Sequence, residues 1–377
     1  MARLAVLAIF FLNGVGIATW VVRIPAVKEK LSLSAGLLGI ALLGVAVGAL
    51  ASMTVAGWLI ARFGSRPVVG TVALLFALAL VPPSLAPNLP LLVLSLVLLG
   101  AANGALDVSM NAQAVAIEKE YGKPIMASFH ASFSLGGLAG AGAGGLIASL
   151  GVGVGPHFFG IAALLALTVV VSRQAMLPAE VDAGGSGGGP SFARPTWALL
   201  GLGVISFCVL LGEGAIGDWS AVYLRNTLLT GPGFAAAGYA AFSLMMVAGR
   251  ITGDRLTGYL GPARLVRLGG AVATVGLGLS LASGHPLVAL AGFASAGAGF
   301  SIVFPLALSA AGRTKETAPG PALAAVSTLG YTGFLAGPPI IGFLAQLFGL
   351  GAALYVVVLL SAAIMPLAGA AGRGVKG

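Results

Sequence analysis

Long apolar runs recur along the whole chain and are separated by short stretches of Gly, Pro and charged residues. A helix needs about 20 mostly apolar residues to cross the hydrocarbon core of a bilayer, and each run is close to that length. The pattern therefore predicts an all-α integral membrane protein with twelve transmembrane helices. We place these helices near 5–23, 36–60, 68–84, 90–114, 125–149, 157–173, 196–223, 234–253, 264–283, 286–311, 321–345 and 350–370.

The extended hydrophilic break at 174–195 has a core rich in Gly and Ser, a composition typical of a flexible tether. It predicts an N-terminal six-helix bundle (1–173), a cytoplasmic linker and a C-terminal six-helix bundle (196–377). The halves also show faint internal symmetry, because Gly100 in the fourth predicted helix has a counterpart in Gly297 in the tenth. Repeated halves joined by a tether are a common transporter design.

Lys and Arg are distributed unevenly between the two sets of loops. With the N-terminus inside, the outer side holds four of these 19 residues, namely Arg23, Lys28, Lys30 and Arg225, and the other 15 are cytoplasmic. Positive residues are enriched in cytoplasmic loops. An error of one in the number of spans would move every later loop to the other side, so we expect an even number of spans and two cytoplasmic termini.

The composition excludes several classes of protein. The chain is 58% hydrophobic and 8% charged, whereas soluble domains are about one-quarter charged, so no room remains for a soluble catalytic domain. The net charge of +9 is spread over short loops rather than one solvated face, which argues against nucleic-acid binding. The single cysteine, Cys208, excludes an intrachain disulfide and a cysteine metal cluster. We expect neither an enzyme nor a bound cofactor or metal.

Two glycine-containing segments fit nucleotide-binding motifs only formally. Gly140–Gly145 matches G-x-G-x-x-G, but no soluble strand precedes it and no acidic residue follows before Glu180. We expect these glycines to pack against a neighbouring helix. Lys123 is followed by proline, so the chain lacks a G-x-x-x-x-G-K-[ST] loop, and ATP-driven transport by this chain alone is not expected.

Between the second and third predicted helices, the segment from Gly57 to Arg66 resembles the cytoplasmic signature of the major facilitator superfamily: a glycine, then Asp-Arg, then a glycine and a basic residue. Ala61 stands where the family usually has the aspartate, so the effect on the gate latch of this half stays open. The equivalent loop of the second half, from Gly249 to Arg255, keeps its acidic residue. The resemblance implies gating roles for Arg62, Arg66, Asp254 and Arg255.

The resemblance covers essentially the whole chain. It implies two six-helix bundles around a central cavity that rock against each other, in a bacterial-type inner membrane and usually as a monomer. Part of the chain is also similar to poorly characterised bacterial members of the superfamily related to fucose permease. The segments that support this similarity are Asp107–Gln113, Ser128–His130 and Gly212–Gly214.

The glycines of the fifth predicted helix resemble the superfamily's glycine motif that is often associated with antiporters, although Ala141 replaces its proline. The eleventh helix is closer to the full pattern. The fifth-helix motif supports an exporter as the alternative function. The glycines are Gly136, Gly140, Gly144 and Gly145 in the fifth helix and Gly333, Gly337 and Gly342 in the eleventh.

Three of the ten acidic residues fall inside predicted membrane helices: Asp107, Glu213 and Asp218. An ionised side chain at mid-membrane costs at least about 2.5 kcal/mol and persists only when it is paired, protonated or hydrated. Asn103, Asp107 and Asn111 recur every four residues and form one polar stripe. We expect this stripe to face a cavity, with Asp107 as a proton carrier and the two amides as substrate ligands. The alternative is a hydrogen-bonded bridge that only joins two helices.

Glu213 lies between two glycines, which can loosen the helix beside a carboxyl, and it is our second candidate for proton coupling. Asp218 and Trp219 follow toward the outer end and are candidates to hydrogen-bond and stack a sugar or polyol. An equally open alternative is that Asp218 pairs with Arg225 at the interface. His130 opens the fifth helix and is either a proton relay or a packing contact.

Asn13 and Trp20 are seven residues apart and share a face of the first helix. They are candidate substrate ligands, although a tryptophan at this position is also typical of a membrane-interface anchor. The sequence therefore predicts secondary active transport of a small polar, sugar-like solute, coupled to protons, with sodium coupling left open. The alternatives are a proton-driven exporter of amphipathic drugs and a receptor or scaffold that transports nothing.

Overall fold

The computed structural model describes residues 1–122, 125–178, 197–314 and 319–372. Within these ranges it contains twelve helices long and apolar enough to cross a membrane, and no strand. The predicted all-α fold with twelve spans is confirmed. We number the helices α1 (Ala2–Lys30), α2 (Ala35–Phe63), α3 (Ser65–Ala79), α4 (Leu89–Tyr121), α5 (Met126–Ser149), α6 (Val154–Ser172), α7 (Trp197–Val222), α8 (Pro232–Leu260), α9 (Pro262–Ser283), α10 (Pro286–Gly312), α11 (Pro319–Phe348) and α12 (Leu350–Leu367).

Local sequence signals set several helix ends. The Ser34 hydroxyl accepts the Leu37 N–H at the start of α2, and the Asn88 side chain accepts the Leu91 N–H at the start of α4. Between α2 and α3 the chain turns at Gly64, whose φ of 77° favours glycine.

Helix α1 continues to Lys30, beyond the predicted end at residue 23. Arg23, the basic residue at the predicted end, does not end the span because its guanidinium has hydrogen-bond partners inside the bundle. The Arg23 guanidinium donates from Nε to His157 Nδ1 at 3.0 Å and from Nη2 to the Val152 carbonyl at 2.9 Å. A buried, hydrogen-bonded arginine is therefore part of the helical span rather than of an outer loop.

The chain forms two compact units: residues 1–187 with 231–240, and residues 188–230 with 241–377. Residues 231–240, which include the first nine residues of α8, thus pack with the first unit, where Ala236 contacts Gly145 of α5. The predicted boundaries at 173 and 196 stay a prediction, and most of the linker lies outside the described residues.

In the first unit, glycines bring helix backbones into direct contact. Gly14 of α1 lies against the backbone of Phe133 in α5, and Gly136 of α5 lies against the backbone of Phe11 in α1. Helices α2 and α4 meet in the same way, through Gly48 and Gly100. Small residues allow this close approach in lipid, where the hydrophobic effect does not drive helices together.

The second unit repeats these contacts with the corresponding helices. Gly333 of α11 lies against the backbone of Phe207 and Leu211 in α7, as α5 lies against α1. Gly297 of α10 lies against the backbone of Phe242 in α8, as α4 lies against α2. The glycine pair that marked the symmetry in the sequence, at positions 100 and 297, thus occupies equivalent helix contacts.

We expect Gly136→Ala to lower the melting temperature of the purified protein by several degrees. A Cβ at this position meets the carbonyl of Phe11, so α1 and α5 must separate, and overpacking typically costs about 1–3 kcal/mol. The matched control is Gly142→Ala on the same helix, where no atom lies within 4 Å of the added Cβ. Equal melting temperatures for the two variants would contradict the close α1–α5 contact.

Candidate functional site

The predicted polar stripe lies on α4 as three half-buried side chains, Asn103, Asp107 and Asn111. The Asn111 amide donates from Nδ2 to Asp107 Oδ1 at 3.2 Å and to the Asp107 carbonyl at 2.8 Å. In the part of the chain that the structure describes, Asp107 has no Lys, Arg or His within ion-pair distance. An amide donor steadies a carboxylate without neutralising it, so this arrangement is chemically suited to reversible protonation.

Seven buried side-chain polar atoms have no hydrogen-bond partner among the described residues. Two of them are Arg3 Nε and His157 Nε2, and the other five belong to predicted substrate-binding residues or to the direct neighbour of one. Since buried polar groups are almost always hydrogen-bonded, each of these five atoms is a candidate contact for a polar ligand. Four belong to residues that the sequence singled out, and Ser220 was missed because an isolated serine in an apolar helix usually bonds to its own backbone. The five atoms are Asn13 Nδ2, Trp20 Nε1, Asn103 Oδ1, Trp219 Nε1 and Ser220 Oγ.

Glu213 is half-buried on α7, and Arg250 of α8 lies close enough to act on it electrostatically. The expected loosening of the helix beside Glu213 is wrong, because α7 is continuous from Trp197 to Val222. The flanking glycines instead receive aromatic rings: an added Cβ at Gly212 would lie 2.7 Å from the Phe300 ring. Glu213 therefore has a cation from another helix as an electrostatic partner, and the backbone beside it stays helical.

Asp218 is also half-buried, and the described residues give it no ion pair. The guanidinium of Arg225 donates to the Thr230 carbonyl at 3.0 Å. The neighbouring Trp219 is 0% exposed, so its indole is enclosed within the second unit and is not an open stacking surface. Asp218 is thus only partly enclosed as a residue, whereas the Trp219 ring is inaccessible in this conformation.

His130 lies exposed near the start of α5. Its ring packs edge-on against Phe10 of α1, with 5.6 Å between ring centroids and 77° between planes. The Ser134 hydroxyl donates to the His130 carbonyl at 3.2 Å, which is an ordinary bond within one helical turn. The contact with Phe10 gives His130 a packing role between α1 and α5.

The first of the predicted gating residues, Arg62, is exposed and stacks on aromatic rings. Its guanidinium carbon lies 5.5 Å from the centroid of the Trp58 ring and 5.4 Å from that of Phe63. With Ala61 in place of the family's aspartate, these rings supply the local contacts of the guanidinium. In the second half, Arg255 is exposed, and the side chain of Asp254 lies outside the described residues.

Arg66 fastens the segment that follows α6. Its guanidinium donates from Nε to the Arg173 carbonyl at 3.1 Å and from Nη2 to the Gln174 carbonyl at 3.0 Å. Gln113 of α4 holds the same segment through both N–H and C=O of Leu177, each at 3.2 Å. The chain leaving α6 is thus tied to the start of α3 through Arg66 and to α4 through Gln113.

The sequence profile described as Major Facilitator Superfamily matches residues 6–318. An uncharacterised MFS-type transporter from Yersinia pestis is 35% identical and covers 93% of this chain and 91% of its own. The membrane protein MosC from Rhizobium meliloti is 38% identical, and the alignment covers 93% of this chain and 85% of MosC. Among solved structures, a bacterial homologue of the human lysosomal transporter Spinster has a TM-score of 0.75 at 14% identity. The superposition covers 98% of this chain and 96% of that homologue. A D-xylose-proton symporter has a TM-score of 0.73 at 15% identity, covering 97% of each chain.

We expect Asn103→Leu to reduce solute transport at least tenfold without lowering the melting temperature. The Asn103 amide oxygen is buried without a partner, so its removal relieves a desolvation cost in the empty protein and deletes a ligand contact. Ser109→Ala is the control, because that hydroxyl is already satisfied by the Leu106 carbonyl. A fall in melting temperature with transport retained would show that Asn103 is structural.

We expect the substitutions Glu213→Gln and Arg250→Gln to be non-additive in their effects on melting temperature. Each single change already removes the interaction between the two charges, so the double change loses it once rather than twice. The control combines Glu213→Gln with Arg267→Gln at an exposed site on α9, where the two effects are expected to add. Additive effects in the Glu213–Arg250 cycle would rule out a direct charge interaction.

Proposed function

The chain belongs to the Major Facilitator Superfamily and is a multi-pass membrane transporter, not an enzyme; on that premise we propose that it is a proton-coupled carrier of a small, sugar-like solute. In this proposal the carrier works by alternating access across a bacterial inner membrane, as a monomer with both termini in the cytoplasm. Asp107 is the main proton-carrying group. The observation on which this rests is a carboxyl in the middle of a membrane helix that has an amide donor and, among the described residues, no cation within ion-pair distance.

The coupling step follows from the cost of a charge in hydrocarbon. The Asp107 carboxyl takes a proton from the outer side and, once neutral, no longer opposes the reorientation of the carrier. On the cytoplasmic side it releases the proton, and the Asn111 amide then donates to the charged carboxylate. Glu213 is a second proton-binding group in this scheme, with Arg250 as its counter-charge, and His130 is an accessory relay near the cytoplasmic side.

The polar atoms of the site favour a solute with several hydroxyl groups. In the first unit, the Asn13 and Trp20 donors and the Asn103 acceptor are matched by hydroxyls, which both donate and accept. Trp219 of the second unit is assigned as a further donor, which becomes accessible only in another conformation of the carrier. Asn111 and Asp218 add an amide and a carboxyl to this set. A proton symporter of D-xylose shares the fold. A relationship to fucose permease, suggested by the sequence, is part of the same proposal.

The residues around the α2–α3 and α8–α9 turns are assigned to gating. Arg66 holds the segment after α6, and a movement of α3 against α6 changes these bonds directly. Arg62 can exchange its aromatic contacts for others as the turn moves. Arg255 is assigned the same role on the second unit, with Asp254 as its acidic partner. The glycines that suggested an exporter, including Gly136 and Gly140, are accounted for by packing against α1.

We expect Asp107→Asn to abolish uphill, proton-driven uptake while exchange of substrate across the membrane stays measurable. The neutral amide imitates the protonated carboxyl, so the carrier can still reorient but cannot release a proton. The measurement is substrate-elicited proton flux in proteoliposomes with a pH-sensitive dye, using a panel of sugars and amphipathic drugs. Glu120→Gln, an exposed acid on the same helix, is the control and should behave as the native protein.

Three results would overturn parts of this proposal. Loss of exchange as well as uptake in Asp107→Asn would assign the residue to substrate binding or to the fold. Transport without any proton signal would exclude proton coupling. A signal with amphipathic drugs and none with sugars would replace the substrate class.

A further inference from the structure

A cavity of about 530 Å³ lies between α3 and α6 in the first unit, at the end that the proposed orientation places in the cytoplasm. Its lining includes two arginines, a threonine, a glutamine and apolar residues, and none of the lining residues is acidic. The principal lining residues are Arg66, Gly70, Thr71, Leu74, Arg173 and Gln174. This cavity is separate from the polar stripe on α4.

The position of each arginine is set by its neighbours. Two N–H groups of Arg66 donate to the Arg173 and Gln174 carbonyls, which fixes the plane of its guanidinium at the cavity edge. The absence of a side chain at Gly70 leaves room for the stem of Arg173, whose Cβ and Cδ would lie 3.7 and 3.9 Å from an added Cβ. Gln113 anchors Leu177 and keeps the segment beside the cavity.

Two guanidinium groups that share one cavity repel each other unless an anion lies between them. Arginine presents a planar fork of N–H donors that matches the oxygen atoms of a phosphate group, and paired arginines are typical of phosphate recognition. Thr71 adds a hydroxyl donor on the same rim. The chemistry of the cavity therefore fits a phosphate ester.

The surface next to the cavity shows where that phosphate comes from. On α3, Leu75 and Leu78 follow Thr71 along the same face and are 51% and 67% exposed. On α6, Leu167 and Val171 precede Arg173 and are 64% and 69% exposed. In a transmembrane helix these apolar side chains face lipid tails. A phosphate in the cavity thus lies at the end of a surface suited to acyl chains.

We propose that the cavity between α3 and α6 binds the phosphate group of an anionic phospholipid from the cytoplasmic leaflet. Basic pockets between transmembrane helices on this side of a membrane are suited to anionic headgroups. The bound lipid joins the start of α3 to the segment that leaves α6, both of which are already linked through Arg66. The site is a lipid site of the first unit and does not depend on which solute is transported.

The test is a titration of the purified full-length protein with phosphatidylglycerol or phosphatidylcholine, with bound lipids counted by native mass spectrometry. We expect the native protein to bind its first phosphatidylglycerol at least tenfold more tightly than phosphatidylcholine. Arg173→Gln should remove this preference, because it deletes a charge and leaves the Arg66 bonds to backbone carbonyls in place. Gly70→Leu should weaken binding by filling the cavity without changing its charge.

The matched control is Arg267→Gln. Arg267 also donates from Nε to a backbone carbonyl across two helices, that of Met365 at 3.3 Å, but it is outside the cavity. This variant should keep the native preference. Equal affinity for phosphatidylglycerol in the native protein and Arg173→Gln would overturn the proposal. Complete displacement of the lipid by an equal concentration of inorganic phosphate would assign the site to a free anion, and would also overturn it.

Discussion

A polar side chain inside a bilayer must find a partner in the protein or face a solvated path, and the details of this structure depend on that constraint. Arg23 meets it with His157 and a backbone carbonyl, and Gln113 meets it with Ser65 and the backbone of Leu177. Each solution fixes the position of a helix end or a connecting segment. Of the seven buried side-chain atoms that have no such partner among the described residues, four belong to residues that the sequence predicts as substrate ligands.

The same constraint explains why the fold could be predicted from the sequence. An α-helix makes all its backbone hydrogen bonds within one segment, as a single span in lipid requires. Counting apolar runs of sufficient length is therefore nearly equivalent to counting spans. The helix ends were less predictable. A basic residue normally marks the end of a span, and nothing near Arg23 in the sequence indicates that its partner is His157, 134 residues away.

The candidate site was predictable residue by residue but not as a set of contacts. The spacing of Asn103, Asp107 and Asn111 was enough to expect one stripe, and the bond between Asp107 and Asn111 is local. The cation near Glu213 comes from α8, and only the folded chain brings it there. The glycines beside Glu213 were misinterpreted for a related reason: their use depends on the rings of Phe300 and Phe334, which belong to other helices.

The two halves place their acids in different electrostatic environments, and this difference bears on which one carries the proton. Near Glu213 the charge of Arg250 offsets part of the cost of burying a carboxylate. Asp107 has an amide and no cation among the described residues, so its ionised form is balanced only by hydrogen bonding. In the proposed coupling scheme the carrier must be neutral to reorient, so the acid without a counter-charge gains most from protonation. The proposed assignment of coupling to Asp107 therefore rests on the absence, among the described residues, of a cation beside it.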